Sequence, residues 1–250
     1  MIRKTIPFVQ GDGVGPEVTA SMRAVLDAAV LKAYGSERVI DWLEVLAGGK
    51  AWDRLGTYLP DETMQAFKEY GIGIKGPLMT PVGGGIRSLN VALRQGLDLY
   101  VCQRPVRWFK GVESPVKHPE NVDMVVFREN TEGAYAVGSK GVNVNDDLAV
   151  DFVVTTTEGT ERIARLAYNY ARDNGKDRVS VIQKANVIKT TDGKFLNLCK
   201  KIGEEYPEIV TDEWYIDITT AKLIDPARRR DFKVFVLPNL YGDIITDEAA

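Results

Sequence analysis

Histidine is almost missing from this chain: His118 is the single one among 250 residues. A zinc site built on histidines is therefore excluded within one chain, and a Ser-His-Asp triad could use only His118, in the polar turn Val116-Lys-His-Pro119. Cysteine is nearly as scarce. Cys102 and Cys199 lie far apart in apolar or helical surroundings, so they read as buried thiols rather than a disulfide framework or a metal knuckle. No apolar run approaches the ~20 residues needed to cross a bilayer. The first seven residues, Met1-Ile-Arg-Lys-Thr-Ile-Pro7, lack the apolar core of a signal peptide, which makes the cytoplasm the expected compartment. Positive charge is not in excess either: 32 Lys and Arg stand against 35 Asp and Glu, with a pI near 5.4 and no basic stripe. Neither nucleic acid nor a membrane is the expected partner. Any catalysis has to run on Lys, Tyr, Asp and Arg, with or without a hard metal ion.

What is present is the composition of a globular protein, 44% hydrophobic with net charge −3 and long enough for one large domain or two small ones. Residues 6–10 read as a strand, Gly11-Asp-Gly-Val-Gly15 as a tight turn, and Pro16 opens a helix that keeps apolar spacing through Val18, Met22, Val25, Leu26, Ala29 and Val30 before Gly35. Residues 42–46 read as the next strand, 60–70 as a helix and 71–75 as another strand. This alternation predicts an α/β fold with a mixed, mostly parallel sheet flanked by helices. The glycine turn is spaced G-x-G-x-G rather than G-x-G-x-x-G and no acidic residue closes a matching second strand, so a Rossmann reading is rejected. Residues 97–102 and 123–127 have strand composition, residues 133–151 are a polar, Gly-rich arm, 159–172 and 192–205 are helices, and 179–182 and 234–237 are strands.

The stretch Pro81-Val-Gly-Gly-Gly-Ile-Arg-Ser-Leu-Asn-Val-Ala-Leu-Arg94 gathers a hydroxyl, an amide and a guanidinium after a glycine hinge, and Arg104 and Arg128 follow. The planar fork of Arg grips a carboxylate with two hydrogen bonds, so three such residues in an acidic protein suggest a pocket for a small, multiply carboxylated molecule. Asp243 and Asp247 stand four apart at the start of a helix. Like charges at that spacing repel by a few tenths of a kcal/mol unless a cation lies between them.

Read together, Gly11-Asp-Gly-Val-Gly-Pro16, Lys75-Gly-Pro77, the 81–94 stretch, Arg104-Pro105, Pro115-Val-Lys-His-Pro119, Phe127-Arg-Glu-Asn-Thr-Glu-Gly133, Tyr135, Lys184-Ala-Asn186 and Asn239-Leu-Tyr-Gly-Asp-Ile-Ile-Thr-Asp247 resemble the isocitrate and isopropylmalate dehydrogenase family of metal-dependent β-decarboxylating dehydrogenases. The resemblance implies that family's fold, with residues 1–99 as the N-terminal part of a large domain, 100–132 and 156–250 as a small α/β domain, and 133–155 as a clasp or arm. It implies that Ser88, Asn90, Arg94, Arg104 and Arg128 hold substrate and that Tyr135 and Lys184 transfer protons. It further implies that Asp217, Asp243 and Asp247 carry Mg²⁺ or Mn²⁺, and that Thr80 and Asn186 meet an NAD or NADP cofactor. Met79 stands where isocitrate dehydrogenases commonly carry a hydroxyl residue, which leaves Thr80 as the neighbouring hydroxyl.

Ser88 and Asn90 offer hydrogen bonds where the isopropylmalate branch carries an acidic and an aliphatic residue, which suits the γ-carboxylate of isocitrate. The implied reaction is oxidative decarboxylation of isocitrate to 2-oxoglutarate in a homodimer with shared active sites, Lys184, Asn186 and Asp217 serving the neighbouring subunit. A sister enzyme acting on homoisocitrate, 3-isopropylmalate or tartrate, and a non-catalytic regulatory subunit that binds a tricarboxylate, are the open alternatives. Since family members continue well past the equivalent of Ala250, the chain is expected to lack the C-terminal part of the large domain, and so to be a partial chain or else unstable and inactive alone.

Overall fold

The first strand, β1 (Ile2–Val9), starts exposed and ends buried, because only its last residues are flanked on both sides. The computed structural model describes residues 1–79, 88–137 and 140–249, and the chain divides into two units, Met1–Asp98 and Leu99–Ala250.

In the first unit β1 is followed by α1 (Gly15–Tyr34), β2 (Arg38–Glu44), α2 (Gly49–Leu55), α3 (Asp61–Tyr70), β3 (Ile74–Lys75) and α4 (Leu89–Gly96). Its sheet has the order β2-β1-β3 with both pairings parallel. Val9, Ala47, Phe67, Leu78, Leu89 and Leu93 form the core. The glycine turn is structural. Gly11 has φ 89° and a Cβ there would lie 2.5 Å from Pro77 O, a conformation and an approach that only glycine allows. Within the same turn Asp12 N–H donates to Pro77 O, and the Asp12 carboxylate accepts from Gly49 N–H at 2.9 Å and Met79 N–H at 3.0 Å.

The second unit contains β4 (Val101–Arg107), β5 (Asp123–Glu129), α5 (Ala134–Val137), the hairpin β6 (Val142–Asn145) and β7 (Leu148–Val150), then α6 (Thr157–Asp173), β8 (Arg178–Gln183), α7 (Thr191–Gly203), β9 (Val210–Tyr215), α8 (Ile216–Leu223), α9 (Pro226–Arg229), β10 (Val234–Leu237) and α10 (Asn239–Ala249). The five-stranded sheet runs β4-β5-β10-β8-β9, antiparallel at β4/β5 and parallel elsewhere. Strands buried on both faces read as continuous apolar runs, and 234–237 is such a run. On one face Val125, Phe127, Val179, Val181, Val234 and Val236 pack with Ile163, Ala167, Phe195 and Cys199 of α6 and α7. On the other, Met124, Val126, Ile182, Phe235 and Leu237 pack with Leu223 of α8, Phe232 and Ile245 of α10. The architecture is α/β with a mixed, mostly parallel sheet between helices.

Several boundaries differ from the sequence reading. The second strand occupies Arg38–Glu44 rather than 42–46, because pairing with β1 begins at Ile2 opposite Arg38. Residues 97–100 are not strand: Leu97 N–H closes α4 on Leu93 O, and Asp98 turns the chain at φ 47° before β4 begins at Val101. The strand expected at 71–75 is reduced to Ile74–Lys75, since Gly71 at φ 64° closes α3. β9 and α8 were not read at all.

Phe235 is fully buried, with Phe232 edge-on at a ring-centroid distance of 4.9 Å, so Phe235→Ala should cost about 3–5 kcal/mol. Urea denaturation followed by far-UV circular dichroism checks this against Ile244→Ala, at a half-exposed position expected to change stability by less than about 0.5 kcal/mol.

Candidate functional site

Four mutually parallel strands of the second unit, β5, β10, β8 and β9, end on one edge of their sheet. Each hands over to a chemistry-bearing side chain there: Arg128 at the end of β5, Asn239 and Asp243 after β10, Lys184 after β8, and Asp217 after β9. Open α/β sheets bind ligands outside the carboxyl ends of their strands, so this edge is the candidate site.

The β5/β10 end holds the first cluster. Arg128 is 1% exposed, and its Nε donates to Asn239 O at 2.9 Å and its Nη2 to Asn239 Oδ1 at 2.7 Å. Its Nη1 donates to Asp243 Oδ1 in a charge-assisted pair, while Tyr135 O–H donates to Asp243 Oδ2 at 3.1 Å. The Tyr135 ring lies 5.6 Å from the guanidinium carbon. Glycine makes the helix approach possible, since a Cβ on Gly242 would stand 2.6 Å from Arg128 Cβ and closer still to Cγ.

The loop that carries Tyr135 is fixed from behind. Buried Glu129 accepts from Thr131 N–H and O–H, each at 2.7 Å, and from Glu132 N–H at 2.8 Å. Burial pushes the Glu129 carboxyl up, and those donors partly offset it. Asn239 Nδ2 donates to Glu132 O, and Glu132 in turn accepts from Thr156 N–H at the mouth of α6.

Arg104 shares this face of the sheet. Cys102 lies opposite Arg128 and Arg104 opposite Val126, so the two arginines are diagonal neighbours across β4 and β5. Arg104 is half-buried and lines a cleft of about 570 Å³ with Trp108, Val112, Pro115 and Thr246.

At the β8/β9 end Lys184 Nζ donates to Asp217 Oδ1 at 2.6 Å and lies 5.5 Å from the Tyr215 ring centroid. The Lys184 ammonium holds the exposed Asp217 carboxyl below the ordinary range. Asn186 is exposed in the turn that follows Lys184.

In the first unit Ser88 is the N-cap of α4, and Leu89 and Leu93 turn inward. That leaves Asn90 and Arg94, four apart, as half-buried neighbours on one helix face. Asn90 Oδ1 is buried with no donor among the described residues, an acceptor whose desolvation costs about 1–3 kcal/mol unless a ligand or water satisfies it. Thr80 and residues 81–87 lie outside the described residues.

Asp243 and Asp247 are one turn apart on α10, half-buried and exposed respectively, and their hard carboxylate oxygens suit Mg²⁺ or Mn²⁺. Asp217 belongs to the other cluster, paired with Lys184. Among the described residues no three His, Cys, Asp or Glu side chains gather at metal-binding spacing. Among them, too, no helix is long and apolar enough to cross a membrane.

Arginine, lysine, tyrosine and carboxylates thus line the carboxyl edge of parallel strands in an α/β protein, the side-chain types that anion binding and proton transfer require. Comparison with known proteins gives the family. The model described as isocitrate/isopropylmalate dehydrogenase matches residues 5–250, and the chain belongs to that family. It is 50% identical over 211 residues to isocitrate dehydrogenase [NADP] of Staphylococcus epidermidis, an alignment covering 76% of this chain and 50% of that protein. It is 42% identical to the protein of the same name from Coxiella burnetii, covering 99% of this chain and 68% of that one. The chain thus spans about half the length of the first of these relatives. Among solved structures, isocitrate dehydrogenase from Methylococcus capsulatus superposes with a TM-score of 0.84 at 38% identity, covering 99% of this chain and 70% of that one.

Asn239, Gly242, Glu129 and Asp192 were not singled out by sequence reasoning. The pattern that would have exposed Gly242 is a glycine in the first turns of a helix that follows a buried strand. Gly242→Ala should destabilise the protein by about 1–3 kcal/mol by overpacking against Arg128. Gly193→Ala in α7, where nothing lies within 4 Å of an added Cβ, should stabilise by about 0.4–1 kcal/mol. Chemical denaturation of both variants checks the pair.

Proposed function

We propose that this chain is part of an NADP-dependent isocitrate dehydrogenase that converts isocitrate to 2-oxoglutarate and CO₂. The observation that supports it best is the pairing of each proton-transfer candidate with a carboxylate on the same sheet edge, Tyr135 with Asp243 and Lys184 with Asp217. A regulatory subunit that only binds a tricarboxylate has no physical need for either pair. The NADP preference follows the names of the relatives, and the cytoplasm remains the compartment proposed.

In this reading Arg104 and Arg128 answer substrate carboxylates, Arg128 from a guanidinium already oriented by Asn239 and Asp243. Ser88, Asn90 and Arg94 are proposed as the substrate-selecting groups of α4, and Thr80 and Asn186 as cofactor contacts. Lys184, in its neutral amine form, accepts the C2 hydroxyl proton, directly or through Asp217 or a water, as hydride leaves C2 for the nicotinamide. The 2-oxo acid then loses its β-carboxylate as CO₂, and Tyr135 donates its phenolic proton to the resulting enolate carbon. Asp243 and Asp247, with Asp217 from a second copy, are the residues that would hold Mg²⁺ or Mn²⁺, and such an ion supplies Lewis-acid stabilisation of the charge that develops on the C2 oxygen.

Two observations support a homodimer with shared sites. The three acidic residues do not gather within one chain. The hairpin also exposes Val142, Val144, Leu148 and Val150, with Phe152 beyond it, and a two-stranded ribbon of that kind is at best marginally stable alone. The division into large-domain part, small domain and clasp is proposed on the same grounds.

In steady-state assays of the complete gene product with NADP and Mn²⁺, Lys184→Met should lower kcat by roughly 10²–10⁴-fold while isocitrate still binds. Arg104→Ala should raise KM for isocitrate about tenfold or more, with a smaller change in kcat. A preference for 3-isopropylmalate over isocitrate in the unsubstituted enzyme would overturn the assignment.

A further inference from the structure

The turn that follows β8 is exposed from Asn186 to Thr190, yet the backbone donors of Lys184, Ala185, Val187 and Ile188 all have partners. Lys184 N–H donates to Asp192 Oδ2 at 2.8 Å and Ala185 N–H to Gln183 Oε1 at 2.6 Å. Val187 N–H and Ile188 N–H both donate back to Lys184 O, at 2.9 and 2.8 Å. Gln183 is 1% exposed and Asp192 3% exposed, so both acceptors sit in the protein interior and reach outward to the turn. Asp192 lies in the first turn of α7, anchored by the buried Phe195 and Cys199 on the same helix. A carboxylate is costly to bury, and burial pushes this one up from the ordinary range. Helix capping does not account for it, since the N-cap position is Thr190 and the Asp192 carboxylate accepts from Lys184 N–H, outside the helix, and from the Tyr241 hydroxyl. The Tyr241 phenol of α10 faces the same carboxylate and is itself raised by burial and by that charge.

We propose that Asp192 is a positioning residue for the reaction, holding the Lys184 backbone so that Nζ meets Asp217 and the substrate hydroxyl in one fixed geometry. The inference rests on the dehydrogenase reading above. A side chain as long as lysine converts a small backbone rotation into an ångström or more at Nζ, and misplacement on that scale can cost about 10²-fold in rate. Fixing the backbone at Lys184 removes that freedom at its root. Gln183 does the same for the next amide, with Asp192 as the charged member of the pair.

The test uses the complete gene product with Asp192→Ala and Asp192→Asn. Asp192→Ala should lower kcat at least tenfold, leave KM for isocitrate within about twofold, and raise the isotope effect on kcat for isocitrate carrying deuterium at C2, because hydride transfer becomes more fully rate-limiting. Asp192→Asn keeps an acceptor oxygen at the same reach and should recover at least about a third of kcat. Hydrogen exchange should quicken at least tenfold at the Lys184 amide in the alanine variant, with Val179 and Val181 in the strand unchanged. A fall in activity that only tracks the loss of folded protein, with the isotope effect unaltered, would overturn the proposal, as would an asparagine variant no better than alanine. If the unsubstituted enzyme fails to oxidise isocitrate, the assigned reaction falls, and unchanged exchange at Lys184 would then sink the positioning role as well.

Discussion

The guanidinium of Arg128 is a full positive charge with almost no water around it, and the second unit is arranged to answer it. Desolvating such a group costs several kcal/mol, and the cost is offset only when its donors find well-placed acceptors. Asn239 supplies two of them and Asp243 a third, and all lie in the opening turns of α10. One strand residue therefore fixes where α10 begins, how closely it approaches β5, and which side of it faces solvent. Tyr135 joins through the other oxygen of Asp243, so the arm-bearing loop is tied into the same group. Removing any single partner would leave an uncompensated charge in the interior, which is a larger penalty than the loss of one hydrogen bond.

The neighbouring β8/β9 pair solves a different problem with the same means. Lys184 has to stay partly accessible, so the charge itself cannot be sequestered as Arg128 is. The fixing is applied to its backbone instead, through buried Gln183 and Asp192. Side by side along one sheet edge, a buried cation with an oriented head and a half-exposed cation with an oriented root make two versions of pre-organisation.

Much of this was open to reading in the chain. Continuous apolar runs marked β5, β8 and β10, and the amphipathic spacing of α6 followed from its long solvent-facing side. β9 escaped because it is an edge strand whose residues are all exposed or half-exposed, so Val210-Thr-Asp-Glu-Trp-Tyr215 carries little apolar signal. The start of β4 was misread because Leu97 and Leu99 are apolar without being strand: the turn at Asp98 is a tertiary feature with no local pattern. The arginines, lysine, tyrosine and aspartates were named from motifs, and the structure puts Arg128 with Tyr135 and Asp243, and Lys184 with Asp217. Asn239, Gly242, Gln183 and Asp192 were given no role of their own from the sequence, for a common reason. Each acts through a partner between 2 and more than 100 residues away in sequence, and only folding brings the two together.

α10 is a helix whose own sequence argues against it. Gly242 costs roughly 1 kcal/mol of intrinsic helix stability relative to alanine, and Asp243 and Asp247 repel across one turn. Its buried face is short, chiefly Asn239, Gly242, Ile245 and Thr246. The element is thus held by docking rather than by propensity. A cation held between the two aspartates, as proposed above, would relieve their repulsion, so part of its binding free energy would be the free energy of ordering the helix, and by mass action ligand concentration would become a term in the local folding equilibrium. Affinity at this end of the sheet and the conformational order of α10 would, in that sense, be one measurable quantity.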